Sequence, residues 1–300
     1  KSEFLAVLSH ELRNPLAPLR AGVEILKLRP ELAPPPRVTG MMERQMVHLT
    51  RLIDDLLDLS RIERGKLELR SERVALDSVV RSALEAAMPG IEARSHRLAV
   101  RSAAGQPLQV DGDAIRLSQV LSNLLNNAAK FTPSGGRIEL AVRAEEGWAV
   151  ISVADSGVGL APEHLESIFD MFTQLQPSAA GGGLGLGLTL ARWIVRRHGG
   201  ELLARSAGPG QGAEFFVRLP LASTPAAEVS PAAAPAAAPA VPGRRVLVVD
   251  DNADAAEALG ELLRLQGHRV EVALDGDAAL RAAQASPPDV YGSYAHPPTS

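Results

Sequence analysis

The chain has 300 residues, which at roughly 150 per domain suggests two or three domains, and 46% of it is apolar while only 3% is aromatic, so its cores must be built from Leu, Val, Ile and Ala. A net charge of −4, from 31 basic and 35 acidic residues, provides no field for gripping nucleic-acid phosphates. The absence of cysteine excludes disulfide scaffolds, thiolate metal sites and Cys nucleophiles, and no apolar run approaches the roughly 18 residues needed to cross a bilayer. The chain opens on Lys1 directly in a helical pattern, and it is expected to be a piece of a longer protein, with no membrane contact within this piece.

Residues 1 to about 29 place Leu5, Leu8, Leu12, Leu16, Leu19, Val23 and Leu26 at spacings of three or four, the mark of a one-sided helix. Pro30–Pro36 breaks it. A second amphipathic helix runs from Arg37 to Glu63 through Met42, Leu49, Leu52, Leu56 and Leu59. Residues 1–66 are therefore a helical hairpin whose stripes need a second copy, giving a dimeric four-helix bundle. Residues 67–221 read as a mixed α/β unit, with strands at 97–101, 137–144, 149–154, 201–206 and 213–219. Helices are expected at 76–87, 114–130 and 186–197. Residues 222–243 are a Pro/Ala-rich linker with Glu228 its single charge. Residues 244–300 begin a parallel βαβα pattern, with strands at 246–249 and 269–273 and no strand expected after Val290.

Five segments concentrate the chemistry. Ser9-His10-Glu11-Leu12-Arg13-Asn14-Pro15-Leu16 puts an imidazole opposite the leucine stripe, beside a carboxylate able to take its proton and one turn before Asn14. A lone helical histidine is usually only a surface residue. Within 119–133, Asn123, Asn127 and Lys130 share a helix face at spacings of four and three. An amide oxygen suits a Mg²⁺ whose other ligands are phosphates and water, while inter-helix hydrogen bonding is the plainer role for the asparagines. Asp155-Ser156-Gly157-Val158-Gly159 follows a strand and offers an acceptor beside a backbone open to close approach. Ile168-Phe169-Asp170-Met171-Phe172 is either core or site. Gly181–Leu188 has the glycine density to wrap phosphates at a helix start, without the spacing of a P-loop or a dinucleotide fingerprint.

In order and spacing these segments resemble the H-, N-, G1-, F- and G2-boxes of bacterial sensor histidine kinases of the hybrid type, over residues 1–221. The resemblance implies an α+β multidomain chain. Its parts are the hairpin, a Bergerat-type ATP-binding α/β sandwich and an incomplete flavodoxin-like fragment similar to the opening of a response-regulator receiver. It implies autophosphorylation of His10 from Mg-ATP, with Glu11 as base and Asn14 supporting phosphatase activity toward a regulator. It further implies nucleotide contacts from Asn123, Asn127, Lys130, Asp155, Gly157, Gly159, Phe172, Gly183, Gly185 and Gly187, with Mg²⁺ held at Asn127. Partners would be a second copy and a response-regulator receiver domain, without nucleic acid, and the location cytoplasmic. Leu184 departs from the Thr or Ser that many such kinases carry. In the C-terminal part, Asp250 and Asp251 resemble a residual Mg²⁺ site, but Tyr294 falls near the slot of the phosphoacceptor Asp. Two other readings are a non-catalytic nucleotide-binding interaction module and an ATP-driven clamp; the H-box hairpin argues against the clamp.

Overall fold

The computed structural model describes residues 2–28, 35–64, 67, 69–102, 108–173, 184–222 and 243–293, with backbone alone for 2–11, 51, 63 and 291–293. Residues 223–242 of the linker, Gly183 and Tyr294 lie outside the described residues. The chain forms two compact units, 1–224 and 225–300.

The first unit begins with α1 (Ser2–Leu28) and α2 (Pro36–Glu63). Helix α1 continues through Pro15 and Pro18, although each removes one backbone donor. The helices pair closely at Gly22, where an added Cβ would sit 2.5 Å from the Met42 sulfur. Several residues of the predicted stripes stay outside this pairing: Leu16 is 51% and Val23 40% exposed.

Strand β1 (Glu72–Ala75) leads into α3 (Leu76–Ala93), then β2 (Arg97–Ser102), β3 (Gln109–Gly112) and α4 (Ala114–Phe131). The chain continues through β4 (Arg137–Glu145), β5 (Trp148–Asp155), α5 (His164–Ser167), α6 (Gly187–Arg197), β6 (Glu201–Arg205) and β7 (Ala213–Pro220). Five strands form one sheet in the order β2-β4-β5-β7-β6, parallel between β2 and β4 and antiparallel elsewhere. Alternate residues such as Ile138, Leu140, Ile151 and Val217 share one core with Val79, Leu121, Leu124 and Ile194 of α3, α4 and α6, as period-two strands and amphipathic helices require. Helix α3 runs past the expected end at Ala87 and through Pro89, and Ile91 beyond the proline is 1% exposed. Burial there outweighs the lost hydrogen bond. The β1–β3 ribbon was not expected; each strand has four residues and only Val74 and Val110 anchor it in the core.

The second unit contains β8 (Arg245–Val249), α7 (Ala253–Leu265), β9 (Arg269–Ala273), α8 (Gly276–Ala285) and β10 (Val290–Ser293). Asn252 and Asp275 cap the two helices by accepting from Ala255 N and Ala278 N respectively. The expectation that no strand follows Val290 is corrected. Val290–Ser293 pairs in parallel with Val246–Val249, giving a three-stranded sheet in the order β10-β8-β9. The segment Val-Tyr-Gly-Ser has too weak a strand pattern to read in isolation; an unpaired edge of β8 supplies the hydrogen bonds.

Candidate functional site

Helix α4 organises the candidate site. Asp113 starts it, its Oδ1 accepting from Ile115 N and Arg116 N, both at 3.1 Å. Apolar residues Leu117, Val120, Leu121, Leu124 and Leu125 bury one face, which leaves the polar series Arg116, Gln119, Asn123 and Asn127 on another. Asn123 is 2% exposed and its amide nitrogen donates to Gly187 O at 3.3 Å. The inter-helix role weighed for the asparagines is thus present at Asn123. Asn127 is half-buried one turn further on. Lys130 turns its ammonium over the Phe131 ring, 5.0 Å from the centroid.

The last turn of α4 meets the second loop of the site. Phe131 O accepts from Val158 N at 3.2 Å, and a Cβ on Gly157 would lie 2.6 Å from both Phe131 O and Asp155 Oδ1. No side chain fits there. Asp155 ends β5, and its Oδ1 accepts from Gly157 N at 2.7 Å. Burial pushes its carboxyl above the ordinary value of 3.8, opposed by hydrogen bonds from the backbone of Gly157 and Ala213. Gly159 has φ +67° and packs on the carbonyl of Gly208. The turn at Gly208–Gly212 is held by Ser206, whose hydroxyl donates to Gly212 O at 2.6 Å.

The two phenylalanines separate cleanly. Phe169 is core, edge-on to Phe215 at 6.4 Å. Phe172 has φ +65°, rare for an aromatic residue, and packs with Leu184 and Leu186. Gly185 has φ +68° and sits against the backbone of Phe172 and Thr173. Gly187 opens α6, and a Cβ on it would stand 3.5 Å from the Asn123 amide, in van der Waals contact. The two glycine loops therefore touch α4 at Asn123 and at Phe131, eight residues apart, or about 12 Å at the helical rise.

His10 and Glu11 lie in the backbone of α1, and their side chains are outside the described residues, as is Gly183 altogether. Asn14 is exposed on α1. In the second unit Asp250 Oδ1 accepts from Asn252 N at 2.8 Å, and Asp251 is exposed beside it. Among the described residues no group of three or more His, Asp and Glu side chains gathers as a cation site, and no helix is long and apolar enough to cross a membrane.

Three residues escaped the sequence reading. Thr132 is 1% exposed with its hydroxyl lacking a hydrogen-bond partner. It lies against Gly136, beside Ser156. His198 joins α6 to the start of α4. Asp58 of α2 is buried against Arg116. None of the three carries a local signal for its role; the partner of His198 at the start of α4 lies 85 residues away in the sequence.

Residues 1–65 match the His Kinase A (phospho-acceptor) domain family, and residues 112–223 match the histidine kinase-, DNA gyrase B- and HSP90-like ATPase family. The virulence sensor protein BvgS of Bordetella bronchiseptica is 36% identical over 296 residues, covering 93% of this chain and 23% of the relative. The sensor histidine kinase GacS of Pseudomonas protegens is 35% identical over 267 residues, covering 86% and 28%. The chain thus spans about a quarter of the length of these relatives. Among solved structures, full-length ShkA in complex with AMPPNP is similar at 31% identity and a TM-score of 0.55, over 93% of this chain and 57% of that one. With a phosphoacceptor segment and an ATPase segment matched in the same order as its hairpin and its α/β unit, the chain belongs to the sensor histidine kinases.

Proposed function

We propose that the chain is the kinase portion of a two-component system, transferring the γ-phosphoryl group of ATP to His10 and from there to an Asp of a response-regulator receiver. The observation that carries this reading is the span of α4 between two glycine loops, with Asn123 bonded to Gly187 at one and Phe131 to Val158 at the other. Asp155, its carboxylate positioned at the end of β5 by the Gly157 N–H, suits the adenine amino group. Backbone N–H groups at Gly185 and Gly187 suit the phosphates at the start of α6, and Gly183, outside the described residues, would complete the set. Lys130 would offset their charge, and Gly159 and Phe172 shape the loops.

Mg²⁺ bound with the phosphates would neutralise charge, and the half-buried Asn127 offers it a hard amide oxygen. In the transfer an imidazole nitrogen of His10 attacks the γ-phosphorus. The N–P bond forms as the bond to the bridging oxygen breaks, ADP leaves, and Glu11 takes the imidazole proton. Positioning and charge neutralisation supply most of the rate in such reactions. Asn14, one turn from His10, is suited to orient water for the reverse loss of phosphate from a regulator.

The apolar side chains that one copy leaves exposed on the hairpin, among them Leu16, Val23, Met46, Val47, Ile53 and Leu57, support a homodimer built as a four-helix bundle. On this reading the domain limits are 1–66, 67–221, 222–243 and 244–300. The order β10-β8-β9 supports reading the C-terminal unit as the first part of a receiver, in which Asp250 and Asp251 would form the cation end. Incubation of the full chain with Mg-ATP tests the proposal. Wild type becomes phosphorylated, and His10→Gln binds nucleotide but carries no phosphate; a His10→Gln chain that is phosphorylated equally would overturn the assignment.

A further inference from the structure

Leu184 and Leu186 flank a glycine of the nucleotide loop, yet each is only 2% exposed. They are not part of the core that joins the five-stranded sheet to its helices. They form a separate apolar cluster with Leu52 and Leu59 of α2, two leucines seven residues apart and so on one helix face. Gly185, between them, lies against the backbone of Phe172 and Thr173, and Gly187, just after them, approaches the Asn123 amide. The segment is therefore held by the hairpin through its leucines and by α4 through Gly187.

A polar contact next to the cluster reinforces it. Asp58, adjacent to Leu59, is buried and accepts from the Arg116 guanidinium. Gln119 closes the group, accepting from Arg116 at 2.9 Å and donating to Asp58 at 3.3 Å. Arg116, Gln119 and Asn123 follow one another at spacings of three and four on α4. Helix α2 thus grips α4 at its first turns and the loop that Asn123 holds. Counting from the Gly22–Met42 contact, His10 lies at the level of Asp54 in the antiparallel pair, between Leu52 and Leu59.

We propose that α2 holds the glycine loop in its nucleotide-binding conformation through Leu184 and Leu186, so that the hairpin sets the affinity for nucleotide. Leu184, at the place where many kinases of the resembled type carry Thr or Ser, is in this chain a docking residue rather than a phosphate contact. Coupling of this kind is reciprocal: whatever displaces α2 weakens nucleotide binding, and bound nucleotide tightens the hold on α2 by the same factor. The inference rests on the nucleotide-site reading above.

Calorimetric titration of the full chain with Mg-AMPPNP tests it. Leu59→Gln and Leu184→Ser each weaken affinity, by about five- to fifty-fold, and the double variant loses no more than the larger single loss, since both remove one contact. Circular dichroism controls for loss of the hairpin. If Leu59→Gln unfolds it, the polar pair serves instead: Asp58→Arg weakens affinity and Asp58→Arg with Arg116→Asp restores it. Unchanged affinity in the single variants, multiplicative losses in the double, or no recovery in the charge swap overturns the coupling. A wild-type chain that binds no AMPPNP overturns the nucleotide site itself, whereas a wild type that binds alongside equally tight variants overturns the coupling alone.

Discussion

The imidazole of His198 accepts the backbone N–H of Asp113 at 2.9 Å through Nε2, and its Nδ1 lies 2.7 Å from Ile194 O. Because Asp113 N can only donate, the ring is the neutral tautomer with its proton on Nδ1. The same Asp113 accepts from Arg70 N at 3.1 Å, so one histidine ties the end of α6 to the start of α4 and to the segment arriving from the hairpin. A Cβ on Gly112 would stand 2.4 Å from the ring.

Loss of that ring should loosen α4 against α6. His198→Ala is expected to cost about 1–3 kcal/mol, the usual penalty for stranding partly buried partners, and to weaken nucleotide binding. His198→Gln, which keeps a donor and an acceptor, recovers part of both. Thermal denaturation and AMPPNP titration of the two variants read the difference; equal losses in Ala and Gln would mean that bulk, not hydrogen bonding, is what His198 supplies.

Asp155 is held where burial disfavours its charge. Its carboxyl has a higher native than unfolded pKa, so its contribution to stability is full below the unfolded value near 3.8 and is lost as pH rises through the raised native value. Asp155→Asn should therefore melt higher than wild type at neutral pH, with the gap closing in acid, while nucleotide binding is lost. Melting temperatures across pH 4–8 check the first part. A variant less stable than wild type at pH 7 would show that the accepted backbone hydrogen bonds outweigh desolvation.

Gly157→Ala and Gly135→Ala make a matched pair. The first puts a methyl 2.6 Å from Asp155 Oδ1 and Phe131 O, while the second meets nothing within 4 Å and bears only the strain of φ +79°. Gly135→Ala should cost about 1–2 kcal/mol and leave nucleotide affinity intact. Gly157→Ala should abolish binding, as judged by the same titration.

Much of this was legible because the signals were long or dense. Twenty-seven helical residues in α1 and twenty-eight in α2 repeat their leucines often enough to survive two internal prolines. The glycine loops announce themselves by composition. Strands β1, β3 and β10 did not, since four polar or glycine-bearing residues become strands only when a neighbouring edge is free to pair with them. The roles of Asn123 and Leu184 were ambiguous for another reason. An asparagine in an apolar helix fits a ligand or a backbone carbonyl equally well, and a leucine in a glycine loop has no local partner. Gly187 and α2 supply those partners across 64 and more than 100 residues of sequence, a separation that no periodicity spans.

The measurement that bears most directly on the account is the chemistry of the label left by γ-³²P-ATP and Mg²⁺. A phosphohistidine is labile in acid and stable in alkali, and the account predicts such a label on wild type and none on His10→Gln. Label that survives acid, or that persists without His10, would contradict it.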